Sequence, residues 1–364
     1  MLRRELSAER THLIVEQVEL RRRARVKFST AERMFFTRRA LEQATDEVTA
    51  AYKALRYDRP APVFDLCCGI GGDLLALAEH HAATGVDRDP VMAILAEENA
   101  RAVRGAEAPQ PAVCACDVFD VDVASCAAWH IDPDRRPLGR RTTRVELHEP
   151  GIDTIERLLA RNANAAIKLA PAAEVPDAWL PDAELEWISR DGECRQLVAW
   201  LGTLALRPAE RRATMLGDSA TPLRTIAGRP GEEPPPVGRL ARYVFEPDAA
   251  VLAAGLGTNL AGEHDLSRLS SGIAYWTGDA PLADNALECF EVDEVLALDI
   301  KRLRALLRKR GVGRLEIKKR GVDIQPEALR RELRLEGDAA ATLIVTRIAR
   351  RVTAILVHQI DSRN

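Results

Sequence analysis

A chain of 364 residues with 46% hydrophobic and 29% charged side chains has the length for two or three buried cores, which excludes a wholly disordered chain. No apolar run approaches the roughly 20 residues that span a bilayer, and no apolar signal core follows Met1, so the expectation is a cytoplasmic protein without a membrane partner. The net charge of −3 hides two basic runs, 11 cationic against 5 acidic side chains in residues 3–39 and 13 against 4 in residues 301–334, and that asymmetry points to a polyanionic partner. The seven cysteines include no C-x-x-C pair and no histidine at ligand spacing, so they read as buried reduced thiols and no metal is expected.

In chain order, residues 1–60 read as a helical region. Leu13, Ile14 and Val18 recur at helical spacing, and a second amphipathic stretch runs from Thr37 through Leu55. From Val63 the pattern becomes short apolar strands, at 63–67, 82–86, 111–115, 127–131, 164–169, 184–189 and 211–216. Helices lie between them at 73–80, 90–103 and 152–161 and around Cys194–Leu204. Such alternation predicts a doubly wound, seven-stranded α/β core over 61–218, with its last two strands free to form an antiparallel edge. Residues 219–239, with Pro234-Pro235-Pro236, read as a Pro/Gly-rich linker. Beyond it, 240–364 reads as an α+β domain: strands at Tyr243–Phe245, Ile273–Trp276 and Leu315–Lys318, basic helices at Ile300–Arg310 and Pro326–Leu335, and a terminal hairpin.

The densest signal is Val63-Phe-Asp-Leu-Cys-Cys-Gly-Ile-Gly-Gly-Asp73, a strand, a glycine loop and a helix start. Leu74 stands where a dinucleotide fingerprint requires its third glycine, so a pyrophosphate ligand is not expected. Asp65, closing the strand, suits a cationic amino-acid end instead. Asp87 follows at the end of the second strand, 22 residues on, where a carboxylate can accept both hydroxyls of a ribose. Asp89 is free to cap the next helix. Asp117 follows the third strand. Ile131-Asp132-Pro133-Asp134-Arg135-Arg136 follows the fourth, combining a proton acceptor with a phosphate clamp.

Asp65, Gly69 and Gly71 fit the Asp-x-Gly-x-Gly-x-Gly pattern of class I S-adenosylmethionine-dependent methyltransferases, with Cys67 in place of the first glycine. The wider pattern comprises Arg33-Met34-Phe35-Phe36-Thr37, Leu41-Glu42-Gln43-Ala44-Thr45, the loop above, Ile131-Asp-Pro-x-Arg-Arg136, Gly192-Glu193-Cys194 and Gly313-Arg-Leu-Glu-Ile-Lys-Lys-Arg-Gly321. It resembles bacterial methyltransferases with a C-terminal THUMP-like domain, whose core is similar to trimethylguanosine synthase. That resemblance implies a Rossmann-like core that binds S-adenosylmethionine through Asp65, Cys67, Gly69, Gly71, Asp87 and Asp117. Phe35, Thr37 and Gln43 would cover the cofactor from the N-terminal helices. Asp132, Pro133 and Arg135 would stand at the acceptor, and the THUMP-like domain at 240–364 would extend RNA binding to the tail.

The expected reaction is methylation of a nucleobase nitrogen in structured RNA, a tRNA or an rRNA. Arg136, Arg308, Lys309, Arg310, Lys318, Lys319 and Arg320 would contact phosphates. No tryptophan lies within Asp132–Arg136 to stack on guanine, so guanine N2 is not implied as the target. Cys194 lacks the surroundings of a pyrimidine-methylating nucleophile and reads as packing. Two alternatives stay open: a small-molecule or protein methyltransferase whose C-terminal domain is an interaction module, and a non-catalytic cofactor-binding protein.

Overall fold

Short apolar runs alternate with helical stretches between residues 62 and 169, and they fold as that alternation predicts. The structure, a computed structural model, describes residues 6–57, 61–135, 142–231 and 235–360. The N-terminal helices are α1 (Ala8–Ala24), α2 (Arg38–Gln43) and α3 (Glu47–Ala54). The core continues with β1 (Pro62–Leu66), α4 (Gly72–Ala78), β2 (Ala82–Asp87), α5 (Pro90–Arg104), β3 (Ala112–Ala115), β4 (Ala128–Ile131), α6 (Ile152–Arg161) and β5 (Ala165–Leu169). After it come β6 (Glu184–Arg190), β7 (Glu193–Trp200), β8 (Arg211–Leu216) and β9 (Pro222–Gly228). The strands form one sheet in the order β3-β2-β1-β4-β5-β7-β6-β8-β9. β1 runs parallel to both β2 and β4, so the strand order reverses at their C-terminal ends. In open α/β sheets that reversal is where ligands bind.

Three expectations need correcting. The stretch around Cys194–Leu204 is mostly strand: β7 is inserted antiparallel between β5 and β6. Its last five residues are buried, and a run buried on both faces shows neither helical nor strand period. The turn before it, Asp191-Gly192, has both residues at positive φ, the Asp-Gly hairpin signal. Second, the sheet has nine strands rather than seven, because β7 and β9 join the expected set, β9 lying in the stretch expected as linker and extending the far edge. β8 pairs parallel to β6, so these two strands do not form the antiparallel edge expected of them. Third, the helix expected after Thr37 breaks at Ala44–Asp46, where Asp46 caps α3 through Thr49 N at 3.1 Å.

The N-terminal region buries Leu20, Ala24, Phe28, Met34, Phe36 and Leu41 against Ile70 of the glycine loop. Asn99 of α5, fully buried, accepts from Phe35 N and donates to Phe35 O and Ile70 O at 2.7, 3.1 and 3.0 Å, pinning the segment before α2 to that loop. Gly72 permits a close approach here, since a Cβ on it would lie 2.9 Å from the Thr45 carbonyl. Lys27 donates to the carbonyls of Leu41, Glu42 and Ala44 at 2.7–3.1 Å, satisfying the orphan end of α2.

Contacts divide the chain into Met1–Leu223 and Arg224–Asn364. The second unit contains β10 (Tyr243–Pro247), α7 (Ala249–Ala253), α8 (Gly257–Glu263), β11 (Ser267–Ser270) and β12 (Ile273–Gly278). It continues with β13 (Leu287–Ala297), α9 (Ile300–Lys309), β14 (Val312–Lys319), α10 (Pro326–Leu333), β15 (Ala339–Ile348) and β16 (Arg351–Ile360). Its sheet runs β11-β12-β10-β13-β16-β15-β14. Side chains alternate across it as the strand period requires. Leu343, Val345 and Leu356 pack with Leu303, Leu307, Leu329 and Leu333 of α9 and α10, whereas Ile344, Ile355 and Val357 pack with Val244, Leu269 and Tyr275. Gly313 lies against Gly337, whose carbonyl oxygen would be 1.7 Å from an added Cβ, so only glycine fits there. Among the described residues no helix is long and apolar enough to cross a membrane.

Candidate functional site

A cavity of about 750 Å³ opens at the reversal point, lined by the ends of β1, β2 and β4, the loops after them and the segment from Thr37 to Thr45. Its floor is the glycine loop. Cys67 sits at φ +57°, the left-handed conformation that glycine adopts without cost, so this cysteine takes glycine's backbone role at about 1–2 kcal/mol of strain. Gly69, at φ +55°, has no atom within 4 Å of the direction a Cβ would take. Its N–H donates to Asp87 Oδ2 at 2.9 Å, and Asp87 Oδ1 accepts from Asp89 N at 2.9 Å. Burial raises the Asp87 pKa against those two backbone bonds. Asp89 caps α5 through Val91 N, and Asp117 holds a short 3-10 turn through Phe119 N.

Beneath the cavity lies a relay of buried polar side chains. His130 Nδ1 is 2.7 Å from Asp65 Oδ1, and His130 Nε2 is 3.2 Å from Lys53 Nζ. An ammonium only donates, so Nε2 accepts and Nδ1–H donates to Asp65. Lys53 also pairs with Asp73 Oδ1 at 2.7 Å, and Thr45 Oγ1 donates to Asp73 Oδ2 at 2.7 Å. Lys168 of β5 donates to Thr45 Oγ1 at 2.9 Å and to Asp132 Oδ2 at 2.5 Å. Burial raises the Asp65 pKa, with the His130 bond opposing it. Burial acts likewise on Asp73, but the Lys53 and Lys168 ammoniums outweigh it and hold that carboxyl below its ordinary range. Asp65 is 1% exposed, and its Oδ2 has no hydrogen-bond partner among the described residues.

The loop after β4 is gripped from both sides. Asp134 accepts from Arg39 at 2.6 Å and from Gln43 at 2.8 Å, both on α2, and its backbone bridges Glu149. Arg88 pairs with Glu149 at the mouth. Arg135 lines the cavity and makes no ion pair among the described residues. Eight carboxylates and three arginines line the described wall, an anionic environment suited to a cationic ligand.

Of the residues assigned to a bound cofactor, Asp65, Cys67, Gly69, Asp87, Asp117, Thr37 and Gln43 line the cavity, as do Asp132, Pro133 and Arg135. Gly71 and Phe35 do not. Gly71 is the left-handed N-cap of α4, and the Phe35 ring lies under the Arg21 guanidinium at 5.0 Å. Gln43 spends its amide on Asp134. Cys194 also lies outside the cavity lining, on β7. Burial pushes the Cys67 and Cys68 thiols well up, so neither is a ready thiolate.

The basic tail differs most from a reading of charge along the chain. Lys318 pairs with Glu288 and Glu246 at 2.6 and 2.9 Å, and Arg320 pairs with Glu246 at 2.8 Å. Arg310 faces Asp293 and Glu294, Arg308 faces Glu336, and Lys319 donates to the Ile324 carbonyl. Lys309 is exposed without an ion pair among the described residues, as are Lys301 and Arg302 on the same helix. Arg136 lies outside the described residues. Sequence reasoning missed His130, Lys168, Lys53, Thr45 and Asp73, which build the relay.

Comparison with known proteins agrees with this geometry. A family described as THUMP domain-like matches residues 287–359. The uncharacterized S-adenosylmethionine-dependent methyltransferase of Mycobacterium tuberculosis, in strains CDC 1551 and H37Rv, is 36% identical over 353 residues, covering 93% of this chain and 94% of the relative. A crystal structure from Porphyromonas gingivalis W83, provisionally described as a methyltransferase, matches with a TM-score of 0.80 at 21% identity. It covers 98% of this chain and 92% of that one, a likeness of fold.

Proposed function

The chain belongs to the S-adenosylmethionine-dependent methyltransferase family, and from that premise we propose that it methylates a nucleobase nitrogen in structured RNA, a tRNA or an rRNA. The observation that carries this reading is the pairing of Asp132 and Arg135 on one loop, both opening into the cavity. A carboxylate can accept from the nitrogen that is methylated while a guanidinium with no ion pair among the described residues receives a flanking phosphate.

The cavity fits the cofactor. Asp65 Oδ2, buried and unpartnered, suits the ammonium of the methionine end. Asp87 retains acceptor capacity for the ribose hydroxyls beyond its two backbone bonds, and Asp117 stands for the adenine amino group. Thr37 and Cys67 supply walls. Bound S-adenosylmethionine supplies a methyl group on a sulfonium whose sulfur leaves as a neutral thioether. The protein's own task is therefore alignment and exclusion of water. Lys168 fixes Asp132 through Oδ2, which leaves Oδ1 to orient the acceptor N–H. α2 holds the loop still through Asp134. No aromatic side chain stands between Asp132 and Arg136, so the target base is held by hydrogen bonds and phosphate contacts rather than by stacking on this loop.

The THUMP domain-like match supports RNA as the partner. Its contacts would come from cations without an ion pair among the described residues, such as Lys301, Arg302 and Lys309 on α9, rather than from Lys318 and Arg320. Replacing those three by alanine is expected to weaken binding to bulk tRNA and to flatten the slope of log K against log salt by about 2, as lost phosphate contacts require. Filter binding between low and moderate salt measures it. An unchanged affinity and slope would remove α9 from the RNA surface.

A further inference from the structure

His130 never reaches the cavity, yet it is the sole hydrogen-bond partner that the described residues give Asp65's carboxylate. Both side chains are buried, at 2% and 1% exposure. The imidazole is itself held from behind. Lys53 Nζ lies 3.2 Å from Nε2, and Lys53 is tied to Asp73, which Thr45 also binds. Lys53 comes from α3 and Thr45 from the turn before it. A carboxylate with one oxygen fixed in this way can turn only its other oxygen toward the cavity. Without that bond it would rotate freely or take a proton in a buried site.

We propose that His130 is a positioning residue for the cofactor, whose Nδ1–H locks Asp65 so that Oδ2 is presented to the ligand's ammonium. This rests on the reading of Asp65 as the ammonium's partner. The relay gives the N-terminal region a second role besides covering the site, because Lys53 sets the tautomer of His130 from the opposite face. His130 thereby acts on binding without touching the ligand.

The test measures S-adenosylmethionine affinity by calorimetry in the full chain, with no acceptor needed. His130→Asn places an amide N–H where Nδ1–H stood and is expected to bind within about threefold of the parent, as a retained donor requires. His130→Gln puts its amide at the Nε2 position, out of reach of Asp65, and is expected to bind roughly 10- to 100-fold more weakly. Equal losses in the two variants would overturn the proposal. Asp65→Asn separates the two readings. If it binds normally, Asp65 does not meet the ammonium and both readings fall. If it binds weakly while the Asn and Gln variants match, positioning alone falls. Should a variant not fold, ¹⁵N spectra of the unaltered protein decide. The proposal requires the Nδ1–H tautomer at His130 and ring signals that move on addition of S-adenosylmethionine. An Nε2–H tautomer or unmoved signals would refute it.

Discussion

Asp87→Ala is expected to weaken S-adenosylmethionine binding by at least 100-fold. An aspartate that accepts two ribose hydroxyls contributes two charge-assisted hydrogen bonds of about 1.5–3 kcal/mol each, and losing both corresponds to roughly two to four orders of magnitude. The substitution also frees Gly69 N and Asp89 N, which loosens the floor of the cavity. Asp87→Asn keeps an acceptor oxygen and should fall between the two. Asp89→Ala is the control. It removes the α5 cap, costing about 1 kcal/mol of stability, and leaves affinity near that of the parent. Calorimetric titration distinguishes these outcomes, and an unchanged affinity in Asp87→Ala would disprove the ribose assignment.

The largest loss of stability is expected from Lys53→Met. Lys53 is 2% exposed and sits between Asp73 and His130, so its removal leaves a buried carboxylate without its nearest cation. Breaking such a pair from one side costs about 3–5 kcal/mol, which in a unit of this size lowers the melting temperature by roughly 6–20 °C. The double variant Lys53→Met/Asp73→Leu should recover part of that loss, because it removes both charges. Acid sensitivity follows from the same pair. Lys53 and its neighbours hold Asp73 below its ordinary range in the folded chain, so its contribution is full above the unfolded value near 3.9 and fades as pH falls from there through the folded value. Scanning calorimetry between pH 3 and 7 should show a shallower acid decline in Lys53→Met.

Asp65, Asp87, Asp117 and Asp132 were legible in sequence because each closes or follows a short apolar run, and strand ends in an α/β sheet converge on one crevice. The relay was not. His130 and Lys168 lie inside strands buried along their whole length, and period analysis assigns such runs to the core regardless of one polar member. Lys53 and Thr45 look like polar positions of a helical stretch. Their partners are 77 and 123 residues away, and only the folded chain brings them together. The ion pairing of the tail was hidden for a related reason. A run of lysines and arginines counts as free charge until strands β10 and β13 place Glu246 and Glu288 beside Lys318. The β7 hairpin, by contrast, carried its signal openly in Asp191-Gly192.

Methyl groups are expected to pass from S-adenosylmethionine to a base nitrogen of structured RNA at Asp132. The direct measurement uses tRNA and rRNA from cells lacking this protein, incubated with the purified chain and methyl-labelled cofactor, then digested and read by nucleoside mass spectrometry. Label is expected in a single N-methylated base, and its loss is expected with Asp132→Ala. Label in protein or a small molecule, with none in RNA, would contradict it.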